Sequence, residues 1–434
     1  PIDDQNIEYS NISLLYNCLS SYYPIKKEND YCQNLLEKRI EPMLAVSAVE
    51  NQPIKHCYVD VAYRHLLENH PHDSICGCSA DQVHKDMIYR FDQVKGICNR
   101  LYDRFIEFTP HGNGDEYELK LYNLTPFPRK RFITANIDFF KDYPEVKRGY
   151  AGKETHNNFK LFDEKENEIP YQIIEINRNI KKRIVGAFQS EAEFDVYTVC
   201  FEADLPPFGY SVYKVNPEKE KVAYANYLPC GESWAENGFI RLDIRPNGQL
   251  DITDKRTGKI YSKLNEFADN AEVGDGWRHE SPINGYTTGG FSCNATVSLI
   301  SEGFALVAFK IEKDIMLPAF LDSSTFKRSE IKKPLHVEYT VTLKRDSAAV
   351  EIEMKIDNNI KDHRLRLMLP TGIEGKNYFA GQAFCCVKRE VGTDLKTITW
   401  YEPEQAEKNM NGIIGKWDAE GNGFPAFSSI CGNS

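Results

Sequence analysis

The spacing of apolar residues changes once along this chain, near Thr109, and the change separates two kinds of folded structure. Before it, Val83, Met87, Phe91, Val94, Cys98, Leu101 and Phe105 recur by threes and fours, which lines one face of an α-helix. About 25 residues at a rise of ~1.5 Å make that helix roughly 40 Å long. After it, Tyr117, Leu119 and Leu121 alternate with charged residues, the period of a half-buried strand. The chain is therefore expected to be α+β and mainly β, with its helices first.

Two weaker helical patterns precede the long one. Asn29-Asp30 offers an N-cap to a stretch with Leu35, Leu36, Ile40, Met43 and Leu44 on one face. Pro42 is expected to kink or end it. A second helix is predicted from about Asp60 to Glu68, with Val61, Leu66 and Leu67 apolar. Ser79 and Gln82 read as a capping box for the third. Three such segments predict a small helix bundle.

The strand-like remainder splits in two. Phe132 to Phe139, Tyr171 to Ile176, Phe194 to Phe201 and Tyr210 to Val215 suggest a first β-sandwich. The charged run Asn216 to Lys221 then links to a second. There Ile240, Leu242 and Ile244 turn at Pro246-Asn247-Gly248 into Leu250 and Ile252, and Thr257-Gly258 marks another hairpin. Val337, Tyr339 and Val341 lead through Arg345-Asp346-Ser347 to Val350, Ile352, Met354 and Ile356, and Leu365, Leu367 and Leu369 continue the alternation. The expected multidomain arrangement is a three-helix bundle over residues 1–108, a first β-sandwich domain over 109–220 and a larger one over 221–434, truncated at its C-terminal end. Gly- and Asn-rich residues after Asn409 read as a mobile or incomplete end.

Charge and composition exclude some partners. A net charge of −11 argues against a nucleic-acid surface. The best apolar run, Val297 to Phe309, is broken by Ser301-Glu302-Gly303 and falls short of a membrane span. The 12 cysteines follow no repeating frame: Cys76-Gly77-Cys78 has neither zinc-knuckle nor thioredoxin-like spacing, and Cys385-Cys386 are adjacent. They read as mostly reduced, which together with the lack of a visible signal peptide suits a cytoplasmic protein.

Between the second and third helices lies His70-Pro71-His72-Asp73-Ser74-Ile75-Cys76-Gly77-Cys78-Ser79. Such a turn sets an imidazole and a carboxylate side by side on a rigid support, as a metal ligand or sugar clamp requires. An adjacent His-Asp pair also serves as a solvated or capping pair. On chemistry alone either His70 or His72 can face a metal. His84 reads as a solvated or packed helical residue, Cys76 and Cys78 as inert turn residues, and Gly77 as a backbone angle closed to other side chains.

The run Asn69 to Ser79, entering an amphipathic helix at Asp81-Gln82-Val83-His84, resembles the His-Asp motif of glycoside hydrolase family 38, the zinc-dependent retaining α-mannosidases. The resemblance implies that His72 is one ligand of the single zinc and that Asp73 bonds a hydroxyl of the bound mannose, with His70 behind them. Pro24-Ile25-Lys26-Lys27-Glu28-Asn29 resembles the lead into the family's first bundle helix, and Glu41-Pro42 a recurrent break in it. Asp269-Asn270-Ala271-Glu272-Val273-Gly274-Asp275-Gly276-Trp277 is similar to an acidic loop that approaches the sugar in bacterial members, which singles out Asp275 and Trp277. Asp362-His363-Arg364-Leu365-Arg366 resembles a family strand, as does Gly381-Gln382-Ala383-Phe384 through Lys388-Arg389, where Arg389 is a further candidate contact.

In that family a barrel-like catalytic domain comes first and carries the nucleophilic Asp, the acid/base carboxylate and the other zinc ligands. The resemblance thus implies part of a zinc α-mannosidase acting on terminal α-mannose of oligosaccharides or small mannosides. No catalytic residue is expected in this chain, which would be inactive without the missing N-terminal catalytic domain as its partner. A mannosylglycerate hydrolase of the same family is one alternative. A non-catalytic carbohydrate-binding or scaffolding β-sandwich protein is another. Neither nucleic acid nor membrane is an expected partner, and a homo-oligomer is left open.

Overall fold

The computed structural model describes residues 21–49, 54–107, 117–140, 158–184, 190–218, 222–273, 288–289, 293–322, 324–325, 327–382, 385–390, 413–417 and 423–431. The change of period falls between the last helix, α5 (Asp81–Glu107), and the first strand, Tyr117–Tyr122. Ahead of α5 come α1 (Tyr23–Leu35), α2 (Glu41–Val49), α3 (Cys57–Leu67) and the single turn α4 (His72–Ile75). Strands dominate the rest, so the described residues are α+β and mainly β.

Met87, Phe91, Val94, Cys98, Leu101 and Phe105 of α5 are all buried. They share a core with Ile25, Leu35, Leu36 and Ile40 on one side and Val59, Ala62 and Leu66 on another. In α3 the buried positions follow helical spacing, whereas Val61 and Leu67, expected to face inward, are exposed. That helix also starts earlier than expected, at Cys57. Pro42 does not end its helix. A π-turn, Leu36–Ile40, immediately precedes α2, and its wider winding accommodates a residue without an N–H to give the preceding turn. The capping box at Ser79 does not form either. The Ser79 hydroxyl donates to the carbonyl of Asp73, and the Gln82 amide turns to Asp86.

The first group of strands forms two sheets. Arg129–Phe140, Ser190–Leu205 and Tyr171–Ile184 make one, while Tyr117–Tyr122, Tyr210–Glu218, Asn158–Phe162 and Glu168–Ile169 make the other. Alternate residues from both fill one core, including Phe139, Phe159, Tyr197, Phe201 and Tyr213. The second group is larger. Its long strands Leu306–Pro318, Lys332–Lys344 and Val350–Asp357 pair antiparallel and bury Phe309, Ile311, Val337, Tyr339 and Val341 with Leu242 and Leu365 from the facing sheets. Gly248 and Gly258 sit at φ +80 and +72, the left-handed backbone both predicted turns need. Among the residues after Asn409, read as a mobile or incomplete end, Ile413–Trp417 and Gly423–Cys431 pair with each other, and Leu365 lies opposite Cys431.

A side-chain amide joins the two groups. Oε1 of Gln172 accepts the N–H groups of Ala305 and Leu306, both at 3.0 Å. Its Nε2 donates to the Leu306 carbonyl (3.1 Å) and the Ser301 hydroxyl (3.0 Å). Around it Phe132 and Cys200 of the first group pack on Ala305, Leu306 and Ala308 of the second. Gly303 keeps the hairpin tip clear, since a Cβ there would strike the Gln172 amide. Gln172→Ala strands two buried N–H donors and is expected to cost about 2–4 kcal/mol, read as a lower urea midpoint.

Lys313 lies inside the second core. Its ammonium donates to the Asn247 carbonyl at 3.2 Å and stands 5.0 Å from the Phe267 ring. Burial holds its pKa below the ordinary lysine range. The unfolded chain therefore binds a proton that the folded chain releases first, so this group's contribution to stability rises with pH towards lysine's ordinary value and falls as pH drops. Denaturation at pH 7 and pH 9.5 is expected to show that rise in the parent protein and a flatter profile in Lys313→Met.

Candidate functional site

The His-Asp turn is built from the helices that carry it. Asn69 continues the buried face of Val59, Ala62 and Leu66, so a polar residue occupies a position the helical spacing gives to the core. It is fully buried. Its Nδ2 donates to the Met87 carbonyl of α5 (3.0 Å), and its Oδ1 accepts from Arg90 (3.3 Å), which also pairs with Glu68 (3.2 Å). The Nε2–H of His70 donates to Oδ1 of Asn29 on α1 at 2.8 Å. Burial lowers the His70 pKa, which favours the neutral ring this bond uses.

Pro71, extended at φ −49 and ψ 138, then opens α4. On its far side Gly77 has φ +75, and a Cβ there would lie 2.6 Å from the Ser21 carbonyl oxygen and 2.8 Å from Tyr22 Cβ. The Lys26 ammonium donates to the same carbonyl. Tyr22 stacks on His84 with ring centroids 4.3 Å apart. His84 is thus packed, as one of its two sequence readings held.

His72 and Asp73 stand out from this frame. Nε2 of the ring lies 3.2 Å from Oδ1 of the carboxylate, and each side chain is 74% exposed. An exposed imidazole nitrogen is a donor type that zinc takes, and one donor does not close a four-coordinate site. Cys76 and Cys78 are thiols, both half-buried beside the turn.

Among the described residues a closer grouping of metal-type donors lies elsewhere. Glu312, His336 and Glu338 bring one donor each to within 4.8 Å of one another. Cross-strand register sets the two glutamates opposite each other, and the Lys310 ammonium bridges them at 2.9 and 3.0 Å. His336 Nδ1 faces Asp314 at 2.8 Å. One ammonium already bridges both carboxylates that a cation would need, so these residues form an ion-pair cluster.

The other candidates lie apart from the turn in the sequence. Asp275 and Trp277 fall outside the described residues. The acidic loop begins later than its sequence suggests, because Asp269, Asn270 and Ala271 belong to the strand Glu266–Ala271. Asp269 is fully buried, with one oxygen 2.5 Å from His363 Nδ1 and the other paired to Arg328. His363 Nε2 in turn meets Asn358 Oδ1 at 3.0 Å. That carboxylate is committed to its neighbours. Arg389 pairs through its backbone with Tyr378 in the ribbon Asn377–Gln382/Cys385–Glu390; its side chain lies outside the described set.

Sequence reading singled out His72 and Asp73, took Asn29 for an N-cap although it lies inside α1, which starts at Tyr23, and gave Asn69 no role of its own. A signal for Asn69 was present, an amide in phase with an apolar stripe. Asn29 carried none, because its partner is 41 residues away. Gly77→Ala is expected to destabilise by about 1–2 kcal/mol from the left-handed backbone alone, with contact to Ser21 adding to it, read as a lower melting temperature.

Comparison with known proteins gives one consistent likeness. The sequence profile of the lysosomal α-mannosidase-like central domain matches residues 169–215. A putative mannosylglycerate hydrolase of Halalkalibacterium halodurans is 25% identical over 429 residues, covering 90% of this chain and 46% of that protein. A glycosyl hydrolase family 38 protein from Enterococcus faecalis shares the fold at a TM-score of 0.76 and 24% identity, over 87% of this chain and 48% of its own. An α-mannosidase from Enterococcus faecalis V583 does so at 0.76 and 24%, over 86% and 46%. The chain spans about half the length of the relatives it matches. The likeness read from the turn thus extends over most of the chain, which is similar to α-mannosidase-like proteins and shares its fold with glycoside hydrolase family 38.

Proposed function

We propose that this chain is the bundle and β-sandwich portion of a zinc-dependent retaining α-mannosidase, acting in the cytoplasm on terminal α-mannose of oligosaccharides or small mannosides. The observation that carries the reading is the exposed, anchored His72–Asp73 pair, 3.2 Å apart. In this reading the helices are a three-helix module over 1–108, and the strands form sandwiches over 109–220 and 221–434. Retaining hydrolysis requires a nucleophilic carboxylate and an acid/base carboxylate about 5 Å apart, and both belong to a catalytic portion outside this chain.

What this chain contributes is the other wall. His72 would hold the metal through a ring nitrogen, and Asp73 would accept a hydrogen bond from a mannose hydroxyl. When bound, zinc supplies Lewis-acid attraction to sugar hydroxyl oxygens. Asp275, Trp277 and Arg389 remain candidate sugar contacts of the same wall. A mannosylglycerate hydrolase is the second reading, favoured by the similarity to the putative mannosylglycerate hydrolase of Halalkalibacterium halodurans.

The chain alone is expected to give no turnover of an aryl α-mannoside above a zinc-free blank. The complete enzyme is expected to turn it over and to carry one zinc, and His72→Ala in that enzyme to lose the metal and more than ~100-fold in kcat/KM. Zinc and activity both retained in His72→Ala would refute the assignment. Faster turnover of mannosylglycerate than of the aryl mannoside would select the second reading.

A further inference from the structure

A side chain as exposed as His72 takes its direction from its backbone, and its own turn is held by Ile75 against the helical core and by the Ser79 hydroxyl on the Asp73 carbonyl. None of the residues of α4 is buried. A further constraint comes from the two residues just before Pro71, each tied by an amide to a different helix. Asn69 reaches the Met87 carbonyl of α5, and His70 reaches Asn29 of α1. Two bonds to two helices fix rotation as well as position, which one bond would leave open.

Asn69 also lies where the α3 stripe calls for an apolar side chain. A buried, hydrogen-bonded amide adds little net stability over an apolar group of similar shape. Its effect is directional. We infer that Asn29 and Asn69 are positioning residues that lock the turn presenting His72 and Asp73, one acting through His70 and the other through the register of α3 on α5. The consequence for metal and sugar rests on the function proposed above, whereas the locking itself does not. Misplacing a reacting group by about 1 Å costs on the order of 100-fold, so bonds this far from the chemistry reach the rate.

The test compares Asn29→Ala, Asn29→Asp and Asn69→Leu. In this chain, amide exchange of a peptide spanning Asn69 to Ser79 is expected to quicken roughly fivefold in Asn29→Ala and Asn69→Leu, with peptides from the middle of α5 unchanged. Asn29→Asp keeps the acceptor for His70 and is expected to restore parent exchange. In the complete enzyme the first two variants are expected to release zinc to a chelator faster and to lose roughly 10- to 100-fold in kcat, again with rescue by Asn29→Asp. Unchanged exchange in the turn, exchange that rises equally throughout the helices, or no rescue by Asn29→Asp would overturn the positioning role. A complete parent enzyme without zinc or mannosidase turnover would sink the functional reading instead, and the exchange measurement would still decide this one.

Discussion

One face of α5 is the surface on which the helical end is assembled. Met87, Phe91, Val94, Cys98, Leu101 and Phe105 are buried along it, and burial of each large apolar side chain stabilises by about 1.5–3 kcal/mol before ordering costs are counted. α1 and α3 both pack there. The far end of the same face meets the sheets, where Phe105 lies edge-on to Tyr122 with centroids 5.0 Å apart. Near its start, the Met87 carbonyl holds Asn69. A single stripe thereby sets the path of the other helices, the entry into the first strand and the direction of the His-Asp turn.

Two carboxylates illustrate how burial decides what an acid can do. Asp269 sits in the interior, and removing a charge from water costs several kcal/mol unless partners compensate. Arg328 and His363 supply that compensation and leave it no vacancy for a ligand. Asp73 is exposed, so it keeps most of its hydration, and its contact with His72 in water is worth about 1 kcal/mol or less. A weak contact can be exchanged for a ligand. Rigid surroundings and donors held only by a weak, exchangeable contact together make the turn, rather than the buried acids, the candidate site.

The β groups are joined with the same economy of means. The hairpin at Ser301 to Leu306 docks on Gln172, whose amide uses both ends on it, and apolar residues close around that amide. Gln172 lies within residues 169–215, the part matched by the α-mannosidase-like central-domain profile. That stretch therefore holds a core strand and a joint to the second group at once.

Helices, most strands, the glycine turns at Gly248 and Gly258 and the His72–Asp73 pair were legible in the sequence, because periodicity, backbone sterics and residue chemistry are local properties. The π-turn ahead of Pro42 was not, since only packing on α5 makes it better to widen the helix than to break it. Ser79 failed as a cap because the carbonyl of Asp73, close in space, took its hydroxyl. Asp269 read as loop because the run from Asp269 to Trp277 resembles an acidic loop, and Arg328 and His363, distant along the chain, let it enter a strand. Sequence alone thus determined which residues could serve a metal or a sugar. Tertiary structure decided which of them are held only by an exchangeable contact and which way they point, because partners such as Asn29 and Met87 come from elsewhere in the chain and leave no periodic trace.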